Sequence, residues 1–135
     1  IPAWASHGLP IVLSVSAASP ELFAQMARDA LAHPSAGPHI GLIELNLSCP
    51  NVKAGGSSFG SSPHWVGEVA RAVREVLPDG RVPLFAKLTP NCADIVAIAA
   101  AALDAGCDGL TAINTVMGAH IDVRRRRPSL SRVSG

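Results

Sequence analysis

Cysteine is scarce in this sequence, an excess of charge of either sign is missing, and no apolar run is long. The three cysteines, Cys49, Cys92 and Cys107, stand far apart, which fits neither a disulfide framework nor the paired ligands of a zinc site. A reducing cytoplasm is the expected compartment. The five histidines are scattered, and no metal is assigned to them. Eleven basic residues against ten acidic ones leave a net charge of +1, so no overall field draws in nucleic acid or an anionic membrane. The longest apolar run, "IVAIAAAAL" at 95–103, falls far short of the roughly 18 residues that would argue for a membrane span. Asp94 and Asp104 bracket it as a helix. The sequence has no GxGxxG and no phosphate-loop spacing of glycines, and no secretory signal opens it. With 48% apolar and 16% charged residues in 135, it reads as one globular domain whose partner is a small molecule or another protein.

Four β-type runs alternate with three helical ones. The strand candidates are 10–17, 40–48, 82–89 and 109–116. Ser19-Pro20 and Ser62-Pro63 place a serine at the N-cap and a proline at the first helical position, and Asn91 with Asp94 is expected to start the third helix. The faces expected to be buried are Leu22, Met26 and Ala30, then Val66, Val69, Val73 and Val76, then Ile95, Ile98, Ala99 and Ala102. Pro34, Pro78-Asp79-Gly80 and Gly106 mark the stops. Repeated βαβ units are right-handed and make the strands parallel. The fold class is therefore α/β, either a small doubly wound sheet or about half of a (β/α)8 barrel. The run Arg124–Arg127 reads as a solvated loop.

In parallel α/β folds the carboxyl edge of the sheet binds the ligand. Here those strand ends deliver Asn46, Ser48, Cys49 and Asn51, then Lys87 and Thr89, then Asn114 and Thr115. Lys87 is one of only two lysines, in the apolar stretch "LFAKLTP", and lysine is almost never buried without a partner. It either snorkels to water or stands against an anionic cofactor or developing negative charge. Cys49, next to Pro50 and the glycine- and serine-rich "NVKAGGSSFG", could accept a proton if its thiolate is stabilised. Cys92 and Cys107 read as structural. Asn46, Asn51 and Asn114 offer uncharged donors and acceptors suited to a cyclic amide, with local turn and cap chemistry as the competing use, above all for Asn51.

"ELNLSCPNVKAGG" with "FG" and a Pro-started helix, then "AKLTPN", "AGCDGLTAINTVMGAHID" and "RRPSL", resembles the flavin-dependent dihydroorotate dehydrogenases of class 1. The resemblance runs from about residue 40 to 135 and implies a parallel (β/α)8 TIM barrel with FMN at its mouth. This chain would cover its middle half, roughly strands 3 to 6, as a partial FMN-binding catalytic domain over residues 1–135. It implies that Cys49 is the base that removes a proton from C5 of dihydroorotate while hydride leaves C6 for the flavin. Lys87 matches the lysine beside the FMN ring. Asn46, Asn51 and Asn114 match the amides that hold the pyrimidine, and Thr115 the hydroxyl next to the last. Cysteine at 49 argues against the membrane-associated, quinone-using class. "CPNVKAGG" and "INTVMGAHID" look most like the subclass that pairs with an iron–sulfur FAD electron-transfer subunit and reduces NAD, in a homo-oligomeric full-length form.

The family's earlier lysine and asparagine and its later glycine-rich phosphate loops have no match in these residues. Four strands cannot close an eight-stranded barrel, so the 135 residues alone are expected to bind FMN poorly and not to turn over. Two other readings stay open: an FMN barrel acting on another cyclic amide such as a dihydropyrimidine, and a truncated, non-catalytic α/β module.

Overall fold

A computed structural model of the chain describes residues 7–48, 53–54, 57–78 and 82–129. Its regular elements in chain order are β1 (Ile11–Val15), α1 (Pro20–Ala32), β2 (Ile40–Asn46), β3 (Lys53–Ala54), β4 (Ser57–Ser58), α2 (Pro63–Arg74), β5 (Leu84–Lys87), α3 (Ile95–Asp104), β6 (Gly109–Thr111), β7 (Ile121–Asp122) and β8 (Arg127–Pro128). Single 3₁₀ turns at Gly37–His39 and Phe59–Ser61 lead into β2 and α2. β3–β4 and β7–β8 are two-residue antiparallel pairs.

β1, β2, β5 and β6 form one parallel sheet in that order. The spatial order never reverses relative to the sequence. Right-handed crossovers between strands laid down in sequence put every connecting helix on the same face. The packing agrees, with α1 against α2 and α2 against α3. A doubly wound sheet needs a reversal with helices on both faces, so this sheet is an arc of a barrel.

Alternation along the strands separates two faces. Ile43, Leu45, Leu84 and Ala86 are fully buried and meet Val66, Val69, Val73 and Ile98 from the helices. Burying each large aliphatic side chain contributes roughly 1.5–3 kcal/mol of transfer free energy. The opposite face carries Val12, Ser14, Glu44, Asn46, Phe85 and Lys87, all incompletely buried, and Val12 is 62% exposed.

Local signals explain the helix starts, with two corrections. Ser19 caps α1 by accepting from the Leu22 N–H at 3.3 Å. Ser62 is extended before Pro63, but its side chain makes no cap bond. For α3 the cap is Asp94, whose Oδ1 accepts from the N–H groups of Val96 and Ala97, each at 3.0 Å. Asn91 is not the cap. Its side chain is drawn to another segment. α1 also turns a different stripe inward than expected: Phe23, Ala24 and Ala27 are buried while Leu22 and Met26 are half exposed. Phe23 meets Phe59 edge to face at a ring separation of 6.2 Å within the core, a contact that turns its stripe of the helix inward. Ile95 is likewise exposed, whereas Ile98 and Ala102 are buried as expected. The fourth strand is shorter than 109–116, ending at Thr111, with 112–120 in no regular element.

At the amino edge of the sheet, Arg74 at the end of α2 is the fastener. Its Nε donates to the Gly106 carbonyl at 2.8 Å and its Nη2 to Asp108. Asp108 Oδ2 also accepts from the Leu84 N–H at 2.8 Å. Gly106 ends α3 at φ +98, where a Cβ would press on the Arg74 side chain. The Leu84 N–H, then the Arg74 guanidinium, hold the Asp108 carboxyl below its ordinary value. Burial pushes the neighbouring Cys107 thiol up to about 11.

Arg124, Arg125 and Arg126 lie in the β7–β8 turn and Arg127 begins β8, all exposed, with Asp122 Oδ1 accepting from the Arg124 and Arg125 N–H groups. That matches a solvated loop. Among the described residues no helix is long and apolar enough to cross a membrane.

Candidate functional site

The strand register creates a row of side chains at the carboxyl edge. Asn46 on β2 pairs with Lys87 on β5, and Lys87 pairs with Thr111 on β6. All three project from the face that the helices leave open. Two residues further down β2, Glu44 accepts from the Ser14 hydroxyl at 3.1 Å and from the Thr111 hydroxyl at 2.8 Å. Its carboxylate thereby ties β1 to β6 across the open face.

Asn46 and Lys87 share an unspent capacity. The Asn46 Oδ1 is buried and has no hydrogen-bond partner among the described residues. Leaving such an acceptor unpaired costs about 1–3 kcal/mol, so the position is suited to a ligand donor. Lys87 is half-buried, and among the described residues no carboxylate lies within ion-pair distance of its ammonium. A neutral acceptor and an uncompensated cation therefore stand side by side. Such a pair can hold a planar, electron-rich ligand.

The surrounding loops are fixed by backbone contacts. The Ser48 hydroxyl donates to the Lys87 carbonyl at 3.4 Å, joining the ends of β2 and β5. Gly60 N–H donates to the Leu47 carbonyl at 3.0 Å, and a Cβ on Gly60 would come within 2.7 Å of that oxygen. Only glycine lets the segment after β4 lie this close to β2. Thr89 is buried; its hydroxyl accepts from the Asn91 N–H at 3.2 Å, and the Cys92 thiol donates to its carbonyl at 3.3 Å.

Beyond β6 the chain continues beside β5 without forming a strand. Leu88 N–H donates to the Thr111 carbonyl at 3.0 Å and Asn114 N–H to the Leu88 carbonyl at 2.9 Å. Asn114 is thus seated next to the Lys87 row. Its Oδ1 accepts from the Thr115 N–H at 2.7 Å, which turns its amide NH2 away to serve as a donor. The Thr115 side chain is exposed.

Of the six side chains singled out from sequence, Asn46 and Lys87 are direct register partners, and Asn114 and Thr115 follow on the adjoining segment. Cys49 and Asn51 lie outside the described residues. Glu44, Thr111 and Asn91 were missed. Glu44 did carry a signal, since a carboxylate inside "GLIELN" is as anomalous as the lysine in "LFAKL". Among the described residues no group of three or more His, Cys, Asp or Glu side chains could hold a metal ion.

Comparison with known proteins places this arc. The profile of the family "Dihydroorotate dehydrogenase" matches residues 3–135. The NAD-linked dihydroorotate dehydrogenase B catalytic subunit of Anoxybacillus flavithermus is 42% identical over all 135 residues, which are 41% of its own length. Its counterpart in Alkaliphilus metalliredigens is 52% identical over 96 residues, 71% of this chain and 31% of the relative. The fumarate-type dihydroorotate dehydrogenase A of Lacticaseibacillus paracasei is 42% identical over 127 residues, 94% of this chain and 41% of the relative. The chain thus spans less than half the length of these curated relatives. A family match over nearly every residue, on a one-sided parallel arc whose carboxyl edge carries the Asn46–Lys87 pair, shows that this chain belongs to the dihydroorotate dehydrogenase family, whose fold is the TIM barrel.

Proposed function

We propose that the protein of which these residues form part oxidises dihydroorotate to orotate in pyrimidine synthesis, with FMN at the carboxyl edge of the sheet. The Asn46–Lys87 register pair carries this reading: a buried acceptor with no partner beside a cation with no carboxylate. Both features fit a flavin or a cyclic amide, and neither is explained by packing alone.

The reaction takes a proton from C5 of the dihydropyrimidine ring and a hydride from C6. FMN, when bound, accepts the hydride. The remaining work falls to side chains of this chain. Cys49 is assigned the C5 proton, a task that a thiol of ordinary pKa, about 8.5, performs once its thiolate is favoured by the site. Lys87 places a fixed positive charge on the open face, where negative charge develops. Asn46, Asn51 and Asn114 hold the ring's amide edges, with the Thr115 hydroxyl beside them.

The two relatives named as catalytic subunits of NAD-linked enzymes support an iron–sulfur FAD subunit as the onward electron carrier. A cytoplasmic homo-oligomer is the matching setting. The fumarate-type relative defines the competing acceptor.

The test is anaerobic flavin absorbance of the full reading frame reconstituted with FMN. Dihydroorotate is expected to bleach the flavin, and dihydrouracil to do so far more slowly. Bound flavin that ignores dihydroorotate, or prefers dihydrouracil, overturns the assignment. Reoxidation by fumarate without a second subunit would replace the NAD-linked reading.

A further inference from the structure

Asn91 stands outside the row of site residues, yet its side chain is committed at both ends. Its Nδ2 donates to the Thr115 carbonyl at 3.1 Å, and its Oδ1 accepts from the Met117 N–H at 3.1 Å. A carbonyl facing one end and an N–H facing the other fix which end of the amide is which. The same two bonds, to the C=O of one residue and the N–H two residues on, are those that the N–H and C=O of a single residue on a parallel neighbour would make. β6 has stopped at Thr111, so no strand supplies them. The Asn91 carboxamide takes that place.

Asn91 is itself anchored. Its backbone N–H donates to the hydroxyl of buried Thr89. From there the connections run Thr89 to Asn91, Asn91 to the Thr115 carbonyl, and the Thr115 N–H to the Asn114 Oδ1. The segment that follows β5 is thereby linked, bond by bond, to the Asn114 amide.

We infer that Asn91 is a positioning residue, whose carboxamide stands in for the N–H and C=O of a neighbouring strand residue, fixes the 114–117 segment and aims the Asn114 NH2 at a planar cyclic amide substrate. This inference rests on the proposed function for the identity of the substrate, but not for the geometry it asserts.

The experiment compares wild type with Asn91→Ala and Asn91→Asp in the full reading frame loaded with FMN. Asn91→Asp keeps the acceptor for Met117 and sets a carboxylate oxygen against the Thr115 carbonyl. Both variants are expected to raise the KM for dihydroorotate and the Kd for orotate, read from flavin absorbance, by roughly tenfold for the loss of about one hydrogen bond's worth of ordering. Flavin content and melting midpoint should stay near wild type. Hydrogen exchange, read without any substrate, should show lost protection of the Met117 amide. Unchanged exchange at 115–117, or KM and Kd within twofold of wild type, overturns the inference. Failure of both variants to retain folded flavoprotein would make Asn91 a general structural residue and also overturns it. A wild-type flavin that does not respond to dihydroorotate counts instead against the proposed function, and the exchange result then decides the Asn91 geometry alone.

Discussion

The Thr111 hydroxyl on β6 donates to the Glu44 carboxylate on β2 at 2.8 Å, although β5 lies between their strands. Such a bond needs the sheet to curl toward its open face, as an arc of a barrel does. Glu44 also receives the Ser14 hydroxyl, so one carboxylate draws together the two outer strands of the sheet. Removing it as Glu44→Ala leaves two hydroxyls without their acceptor. The expected loss is about 1–3 kcal/mol, seen as a lower thermal midpoint, while Glu44→Gln retains most of the stability because a hydroxyl can turn to accept from the amide. Equal loss in both variants would show that the charge, not the bridging geometry, matters.

Gly60 and Gly118 give opposite expectations for the same substitution. A Cβ at Gly60 meets the Leu47 carbonyl oxygen at 2.7 Å and the Thr89 methyl at 3.2 Å, whereas a Cβ at Gly118 meets nothing within 4 Å. Gly60→Ala should destabilise by about 1–3 kcal/mol and disturb the edge where β2 ends. Gly118→Ala should leave the denaturant midpoint unchanged. A silent Gly60→Ala would contradict the close approach described above.

Acid should act on the amino edge through Asp108. Its carboxyl is held below the ordinary 3.8 in the folded chain, first by the Leu84 N–H and then by Arg74. A depressed folded pKa stabilises above the unfolded value and loses that contribution as pH falls through the folded one. Wild type should therefore exceed Asp108→Asn in melting midpoint at pH 7, with the gap closing below about pH 4. The ion pair itself is half exposed on the Asp108 side, so solvent screening limits its own share to about 0–1 kcal/mol. A gap that persists unchanged to pH 3 would remove Asp108 as its source.

Thiol reactivity should sort the cysteines. Cys107 is buried, with its thiol pushed up to about 11, and only the thiolate attacks alkylating reagents. Brief native alkylation near pH 8, followed by peptide mapping, should leave Cys107 unlabelled. Cys49, if it is the base as proposed, should label fastest, and orotate should protect it. Labelling of Cys107 at the rate of unfolded protein would mean that the core around it opens readily.

Lys87→Ala and Cys49→Ala should fail in different ways. Loss of the cation should weaken FMN retention or slow flavin bleaching, whereas loss of the thiol should leave flavin bound and slow bleaching by about 10²-fold or more. Indifference of Lys87→Ala would assign the lysine to snorkelling. Indifference of Cys49→Ala would remove it from the role of base.

Much of this was legible from the sequence because it is local. Ser19-Pro20 starts α1, Gly106 ends α3 at positive φ, and four apolar runs fall on the four sheet strands. The α1 face was not legible, since Leu22–Met26 and Phe23–Ala27 have the same helical spacing and only the partner helix decides between them. The sequence pointed to Asn91 as the α3 cap with Asp94 three residues on, and the cap is Asp94 itself. The choice was made by residues 115–117, which offer Asn91 two bonds that a helix terminus does not. The row of Asn46, Lys87 and Thr111 depends on register, which no single strand encodes.

The two ends of the sheet are held by different chemistry. The amino edge relies on the guanidinium–carboxylate fastening of Arg74 and Asp108, half open to water. The carboxyl edge is shaped by neutral amides and hydroxyls: Ser48, Thr89, Asn91 and Asn114. Added electrolyte screens the first and leaves the second almost untouched. Ionic strength is thus a dial on the stability of the sheet's floor that does not reach the shape of its mouth.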